Sequence, residues 1–264
     1  MQLGIAENKA KKKLAAGELT VYMAVNQMRS PDVALIAAAC GFDAIFVDLE
    51  HSPMSLETAS GICIAAVLAG VTPIARVSSQ QAIDATRILD TGAQGVMVPH
   101  IDTVEQAQAI VRNCKYPPLG HRSAFGIGPT LGYRATPQGT VNTRLNDEVL
   151  LIAMLETPQA IGNAEAIAAI PGIDVVHIGS LDVSNEMGIP AAYRDPRMWT
   201  AFEAVAAACK RHGKAMGVGG ARGDPQLQAD LIGLGVRYLT AGSDVSYLMA
   251  AARKEVATLR ALEM

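Results

Sequence analysis

The 264 residues carry 22 Lys and Arg against 25 Asp and Glu, a net charge of −3, which leaves no electrostatic footprint for nucleic acid. Half of the residues are apolar but only 4% are aromatic, so the core must be built from Ala, Val, Ile, Leu and Met. No apolar run approaches the ~20 residues that a bilayer requires, and the N-terminus has no apolar signal core, which points to a soluble cytoplasmic protein without a membrane partner.

In chain order, the first expected element is a helix within residues 1–17, whose Lys9, Lys11, Lys12 and Lys13 read as a solvated basic face. Short β-rich runs follow at 20–26, 43–49, 72–77, 94–99, 149–155, 174–179, 214–219 and 236–241. Amphipathic stretches alternate with them at 31–40, 55–69, 80–90, 103–114, 158–169, 197–212, 225–233 and 244–261, several closed by a glycine. Near-continuous apolar strands alternating with helices indicate a parallel sheet covered by helices. Eight such units predict an α/β chain folded as one (β/α)8 TIM barrel over residues 1–264, and no GxGxxG follows the first strand to favour a doubly wound sheet. The connection 115–147 is out of scale and, with its glycines, aromatics and arginines, reads as an active-site cover or subunit contact. Cys40, Cys63, Cys114 and Cys209 are far apart, form no CxxC pair, and read as small buried apolar residues in a reducing compartment.

A barrel gathers its chemistry at the C-terminal ends of the strands. There the chain places Asp48, Glu50 and His51 after the second strand, Arg76 on the third, His100 after the fourth, Glu156 after the fifth and Asp182 after the sixth. Glu156 and Asp182 are hard oxygen donors at the ends of apolar runs, where an unpaired carboxylate costs several kcal/mol. Together they suggest Mg²⁺ or Mn²⁺, whose remaining positions water or substrate would fill; each could instead cap the following helix. Arg76 needs an anion, either a substrate carboxylate or enolate oxygen or an ion pair with Glu50 or Glu156. His51 lies three residues after Asp48, which could orient it as a general base. His100 has the weaker case, His177 reads as a satisfied core or pocket-wall residue, and GVGGARG (217–223) could form an anion-binding nest. A cation, a buried Arg and a His base share one logic: a chelated 2-oxo acid loses a C3 proton and its enolate is stabilised. No lysine ends a strand at this face, which disfavours a Schiff-base mechanism.

The segments FVDLEHSP (46–53), IARVSS (74–79), ILDTGAQGVMVPHIDTVEQA (88–107), KYPPLGHRS (115–123), LETPQA (155–160) and HIGSLDVSNEMG (177–188) resemble the HpcH/HpaI aldolase family. The resemblance runs from about residue 18 to 255 and implies a barrel of the phosphoenolpyruvate/pyruvate type. The activity it implies is a metal-dependent class II lyase that cleaves 4-hydroxy-2-oxo acids to pyruvate and an aldehyde through a metal-bound pyruvate enolate. It implies Glu156 and Asp182 as ligands of Mg²⁺ or Mn²⁺ (Co²⁺ also fits), Arg76 on the enolate, and His51 with Asp48 as a dyad. It also implies that Asp90 assists from a neighbouring subunit, and that backbone N–H groups at Leu181 and Asp182, next to Ser180, hold the substrate carboxylate. Finally, it implies a homo-oligomer, a hexamer built as a trimer of dimers, in which the helix at 244–261 exchanges between subunits. The chain departs from the family pattern at Met154, where Gln is common, at Ser123, and at Gly179-Ser180-Leu181 before Asp182. Two rival readings share the barrel: a CoA-thioester lyase of the citryl- or malyl-CoA type, and a non-catalytic 2-oxo-acid-binding homologue.

Overall fold

The eight apolar runs close into a parallel barrel in chain order, β8 pairing with β1 to shut it. The computed structural model describes residues 5–263; residues 1–4 and 264, which the expected N-terminal segment and single domain also include, lie outside the described residues. The strands are β1 (Thr20–Val25), β2 (Ala44–Asp48), β3 (Thr72–Arg76), β4 (Gly95–Val98), β5 (Leu150–Leu155), β6 (Val175–Gly179), β7 (Ala215–Gly219) and β8 (Val236–Ser243). The helices are α1 (Lys9–Ala15), α2 (Asp32–Ala39), α3 (Leu56–Ala69), α4 (Ala82–Asp90), α5 (Val104–Cys114) and α6 (Gln138–Glu148). They continue as α7 (Pro158–Gly162), α8 (Ala164–Ala168), α9 (Ser180–Glu186), α10 (Pro196–His212), α11 (Pro225–Leu234) and α12 (Asp244–Arg260). Among them no helix is long and apolar enough to cross a membrane.

Strand alternation divides the core in two. On β5, Leu150, Ile152 and Met154 face the barrel interior with Tyr22, Phe46, Met97 and Tyr238. Leu151, Ala153 and Leu155 of the same strand face outward into the larger core shared with the helices. Both faces are apolar because both are covered, which explains the unbroken apolar runs. Local signals fix the helix ends: Thr103 and Gln106 form a capping box on α5, and Gly213 closes α10 in the left-handed region at φ 62°.

Several details depart from the sequence expectations. The basic N-terminal residues are only in part a solvated face: Lys9 and Lys12 are exposed, but Ala10 and Leu14 of α1 pack into the bottom of the barrel interior. Lys11 and Lys13 then clamp the helix there, 3.0 Å from Asp174 and 2.8 Å from Asp43. The long connection contains α6 and a 3-10 turn at Pro129–Leu131, joined through Tyr116, Leu131, Val141 and Leu145. The sequence of α6 is mostly polar, and Val141 and Leu145 alone supply its apolar stripe, so its periodicity is faint. The stretch 158–169 breaks at Asn163 into α7 and α8, and α9 begins directly after β6. Cys63, Cys114 and Cys209 are buried as expected, but Cys40 is exposed at the end of α2. In α12 only Asp244 is buried, and Leu248, Met249, Val256 and Leu259 are exposed.

Candidate active site

The register between β2 and β3 sets Asp48 directly beside Arg76. Arg76 donates from Nε to Asp48 Oδ1 at 3.0 Å and from a terminal nitrogen to Oδ2 at 2.8 Å, a two-point bond between groups that are 9% and 0% exposed. Its other terminal nitrogen lies 3.2 Å from Glu50 Oε2, and the guanidinium stands over the Phe46 ring. Asp48 also accepts from Asn26 Nδ2 at 2.8 Å and from the backbone N–H groups of Glu50 and His51. Burial alone would raise the Asp48 pKa, but the bonds and charge of Arg76, joined by the His51 and Glu50 N–H groups, together hold the carboxyl below its usual range. The Arg76 pKa is raised, because Asp48 and Glu50 oppose the effect of burial.

This geometry corrects one expectation. Asp48 does not orient the His51 imidazole; its oxygens are filled by Arg76, Asn26 and two backbone donors. The His51 ring is 65% exposed at the mouth, and its nearest acid is Glu50, 3.8 Å away. The alternative foreseen for Arg76, an ion pair with Glu50, is present, with Asp48 as the stronger partner.

Glu156, 2% exposed just beyond β5, accepts the His100 backbone N–H at 2.9 Å and lies 3.2 Å from His100 Nδ1. The other ring nitrogen of His100 is 3.1 Å from Glu50 Oε1, so this imidazole bridges two acids. His100 adopts φ 55°, a conformation that a residue with a side chain takes rarely and at some cost. Burial raises the Glu156 pKa; His100 opposes this, while Glu50 and Asp182 add to it. Gly179 at the end of β6 makes room for the carboxylate: a Cβ there would lie 2.8 Å from Glu156 Cγ and 2.8 Å from Met154 Cε.

A cavity of about 330 Å³ opens at this face. Asp48, His51, Arg76, Ser180, Leu181 and Asp182 line it, and Glu156 lies behind its wall beside Met154, which does line it. Asp182 sits in the first turn of α9, a helix that starts without a side-chain cap. Ser180 is 2% exposed and its hydroxyl has no partner, whereas Leu181 is 49% exposed. Among the described residues no three His, Cys, Asp or Glu side chains converge on one metal position. Asp90 is not brought to the cavity; it ends α4 and pairs with the buried Arg122 of the long connection at 2.5 Å.

Two histidines differ from expectation in what they contact. His100 bridges acids only because of its backbone turn, which no local motif announces. His177 is in the cavity wall as expected, but it is not satisfied: its Nδ1 has no partner, and burial pushes its pKa down to about 3. Its ring fits because β7 offers Gly217 and Gly219 opposite it; a methyl at Gly217 would overlap Nδ1, and one at Gly219 would lie 3.2 Å from Nε2. The glycines in GVGG were the available signal.

Comparison with known proteins places this geometry. The family model described as HpcH/HpaI aldolase/citrate lyase matches residues 22–251. A 4-hydroxy-4-methyl-2-oxoglutarate aldolase of Chaetomium globosum is 42% identical over 243 residues, covering 91% of this chain and 90% of the relative. A protein of the same description from Hapsidospora irregularis is 37% identical over 262 residues, covering 98% and 97%. Among solved structures, an HpcH/HpaI aldolase from Desulfitobacterium hafniense superposes with a TM-score of 0.89 at 30% identity, over 95% of this chain and 96% of that one. A family model matched over most of the chain, relatives similar along nearly their whole length and a shared barrel agree: the chain belongs to the HpcH/HpaI aldolase/citrate lyase family.

Proposed function

We propose that this protein is a divalent-metal-dependent aldolase that cleaves a 4-hydroxy-2-oxo acid to pyruvate and an aldehyde or ketone. The observation that carries the reading is the buried Arg76 guanidinium, fixed by Asp48 and Glu50 in the wall of a cavity that Asp182 also lines and Glu156 adjoins. The names of the two relatives from Chaetomium globosum and Hapsidospora irregularis support the same chemistry.

The residues fit a cation. Glu156 is a carboxylate whose burial is opposed only in part by His100, and Gly179 keeps the space beside it free of a side chain. Glu156 and Asp182 would hold Mg²⁺ or Mn²⁺, with Co²⁺ a further match to the donor set, and leave other positions to water or substrate. When bound, the cation would supply Lewis acidity to the 2-oxo acid. The uncapped start of α9 offers the N–H groups at Leu181 and Asp182 to the substrate carboxylate.

The proton work falls to the chain's own groups. His51, backed by Glu50, takes the proton of the C4 hydroxyl. The C3–C4 bond then breaks, C4 becomes a carbonyl carbon, and the electron pair passes to the C3 side as an enolate. Arg76 stands ready for the negative charge on its oxygen, and the two-point bond to Asp48 prevents it from reorienting as charge develops. Returning the proton to C3 completes pyruvate.

The test is pyruvate release from 4-hydroxy-4-methyl-2-oxoglutarate. Chelation by EDTA should abolish it, Mg²⁺ or Mn²⁺ should restore it, and Arg76→Ala should lower kcat/KM by about 10²- to 10³-fold. Release that survives chelation refutes the cation, and absence of release with either metal present refutes the aldolase. Metal-dependent C3 proton exchange of pyruvate in D₂O would separate it from a non-catalytic binder.

Assembly as a homo-oligomer, a hexamer arranged as a trimer of dimers, is part of the same proposal. The exposed apolar residues of α12 support it, since a surface helix with Leu248, Met249, Val256 and Leu259 uncovered calls for a partner surface. Residence in the cytoplasm is likewise proposed, and the free thiols of Cys63, Cys114 and Cys209 suit a reducing compartment.

A further inference from the structure

One cation in the cavity wall has no task in the scheme above. Arg222 follows β7 between Gly220 (φ 101°) and Gly223 (φ 78°), two left-handed positions that turn the chain over the mouth. β3 and β7 lie four strands apart in a barrel of eight, and Arg222, just beyond β7, lines the same cavity as Arg76 on β3. The two arginines differ in their partners. Arg76 is held by two acids, and nearby Arg194 is neutralised by Asp224 at 3.1 Å and Asp230 at 3.3 Å. Arg222 forms no ion pair among the described residues, and its one hydrogen bond, to Ser243 Oγ, is 3.4 Å long. Its charge reaches the hydroxyls of Tyr22 and Tyr193, both in the cavity wall, where it opposes the upward push of burial on their pKa values.

Two neutral donors stand beside it. A Cβ at Gly220 would lie 3.3 Å from Tyr193 Oη and 3.2 Å from Ser180 Cβ, so both side chains crowd the glycine that precedes this turn. The Ser180 hydroxyl is buried and unpartnered. An unpaired guanidinium, a phenol and an orphaned hydroxyl on one wall form a recognition surface for an anion, and a carboxylate matches a guanidinium at two points.

We propose that Arg222, with Tyr193 and Ser180, is a second carboxylate subsite, which makes the substrate a dicarboxylic 4-hydroxy-2-oxo acid with its far carboxylate on C4. The proposal rests on the aldolase reading and specifies its substrate. Cleavage then loses the C4 hydroxyl proton, breaks C3–C4 and gains a proton at C3. The far carboxylate leaves on the new carbonyl carbon, so the second product is itself a 2-oxo acid.

The experiment compares wild type, Arg222→Gln and Arg222→Lys on two substrates, 4-hydroxy-2-oxoglutarate and 4-hydroxy-2-oxovalerate, which carries a methyl in place of the far carboxylate. In the Gln variant the ratio of kcat/KM for diacid over monoacid should fall about 10- to 100-fold, mainly through KM, with partial recovery in the Lys variant. A ratio that does not change overturns the subsite. Calorimetric titration with 2-oxoglutarate and 2-oxobutanoate in Mg²⁺ buffer separates this outcome from failure of the aldolase reading. If wild type cleaves neither hydroxy acid, the aldolase reading fails. A wild-type preference for 2-oxoglutarate that is lost in the Gln variant still supports the subsite, and equal loss for both ligands overturns it.

Discussion

Gly179→Ala tests whether the fold positions Glu156 sterically. At φ −81° and ψ 83° the backbone accepts alanine without strain, so any effect comes from the added methyl. That carbon would lie 2.8 Å from Glu156 Cγ, 2.8 Å from Met154 Cε and 3.0 Å from Glu156 Oε1. Contacts between carbons are comfortable at about 3.5–4.0 Å, so both neighbours must retreat by roughly 1 Å. Met154 Cε ends a flexible chain and can swing away. Glu156 Cγ cannot move without carrying its carboxylate off the His100 N–H, now 2.9 Å away. The expected loss of stability is about 1–3 kcal/mol, read by urea denaturation, and the expected loss in kcat/KM is about 10²-fold, the scale of an ångström's misplacement. Adding Met154→Ala should recover part of the stability and little of the activity, because only one of the two clashes is removed. A Gly179→Ala enzyme within threefold of wild-type kcat/KM would show that Glu156 need not stand where it does.

Two further outcomes follow from buried charge. Asp48→Asn leaves the Arg76 guanidinium without its two-point partner and should destabilise the fold by about 3–5 kcal/mol in urea titrations; combining it with Arg76→Met should lose less than the sum of the single variants. His177, whose pKa is pushed down to about 3 by burial against an ordinary 6.5, takes up its proton more readily when unfolded. Its contribution to stability is therefore intact above pH 6.5 and is lost as pH falls towards 3. At about 1.4 kcal/mol per unit, His177→Phe should gain roughly 3 kcal/mol on wild type between pH 7 and pH 4, measured by denaturation at each pH. Parallel pH curves for the two proteins would refute the buried neutral imidazole.

The barrel was legible because most strands are apolar on both faces and several end in, or just before, a polar residue at the same rim. Asp48, Arg76, Glu156 and Asp182 stand out as charges at the close of apolar runs or just beyond them, and that much is a property of linear sequence. Pairing is not. Asp48 is three residues from His51 and twenty-eight from Arg76, yet strand register makes the distant residue its neighbour. Separation along the chain favours the local partner, and the sheet overrides it. His100 escapes notice for a related reason: its bridge between Glu50 and Glu156 depends on a backbone angle that composition does not encode. The polar α6 hides behind two apolar residues that meet only a small satellite core.

The glycines of β7 give the pocket a property that can change by itself. The groups given a part in cleavage stand on or just beyond β2, β3 and β5, with Asp182 in the first turn of α9, while the space beside His177 exists where Gly217 and Gly219 present no side chain to it. A methyl at 219 would narrow that recess beside Nε2, and one at 217 would evict the imidazole, without touching a single charge. The recess beside His177 can therefore be narrowed or filled from β7 while Arg76 on β3 and Glu156 beyond β5 stay as they are.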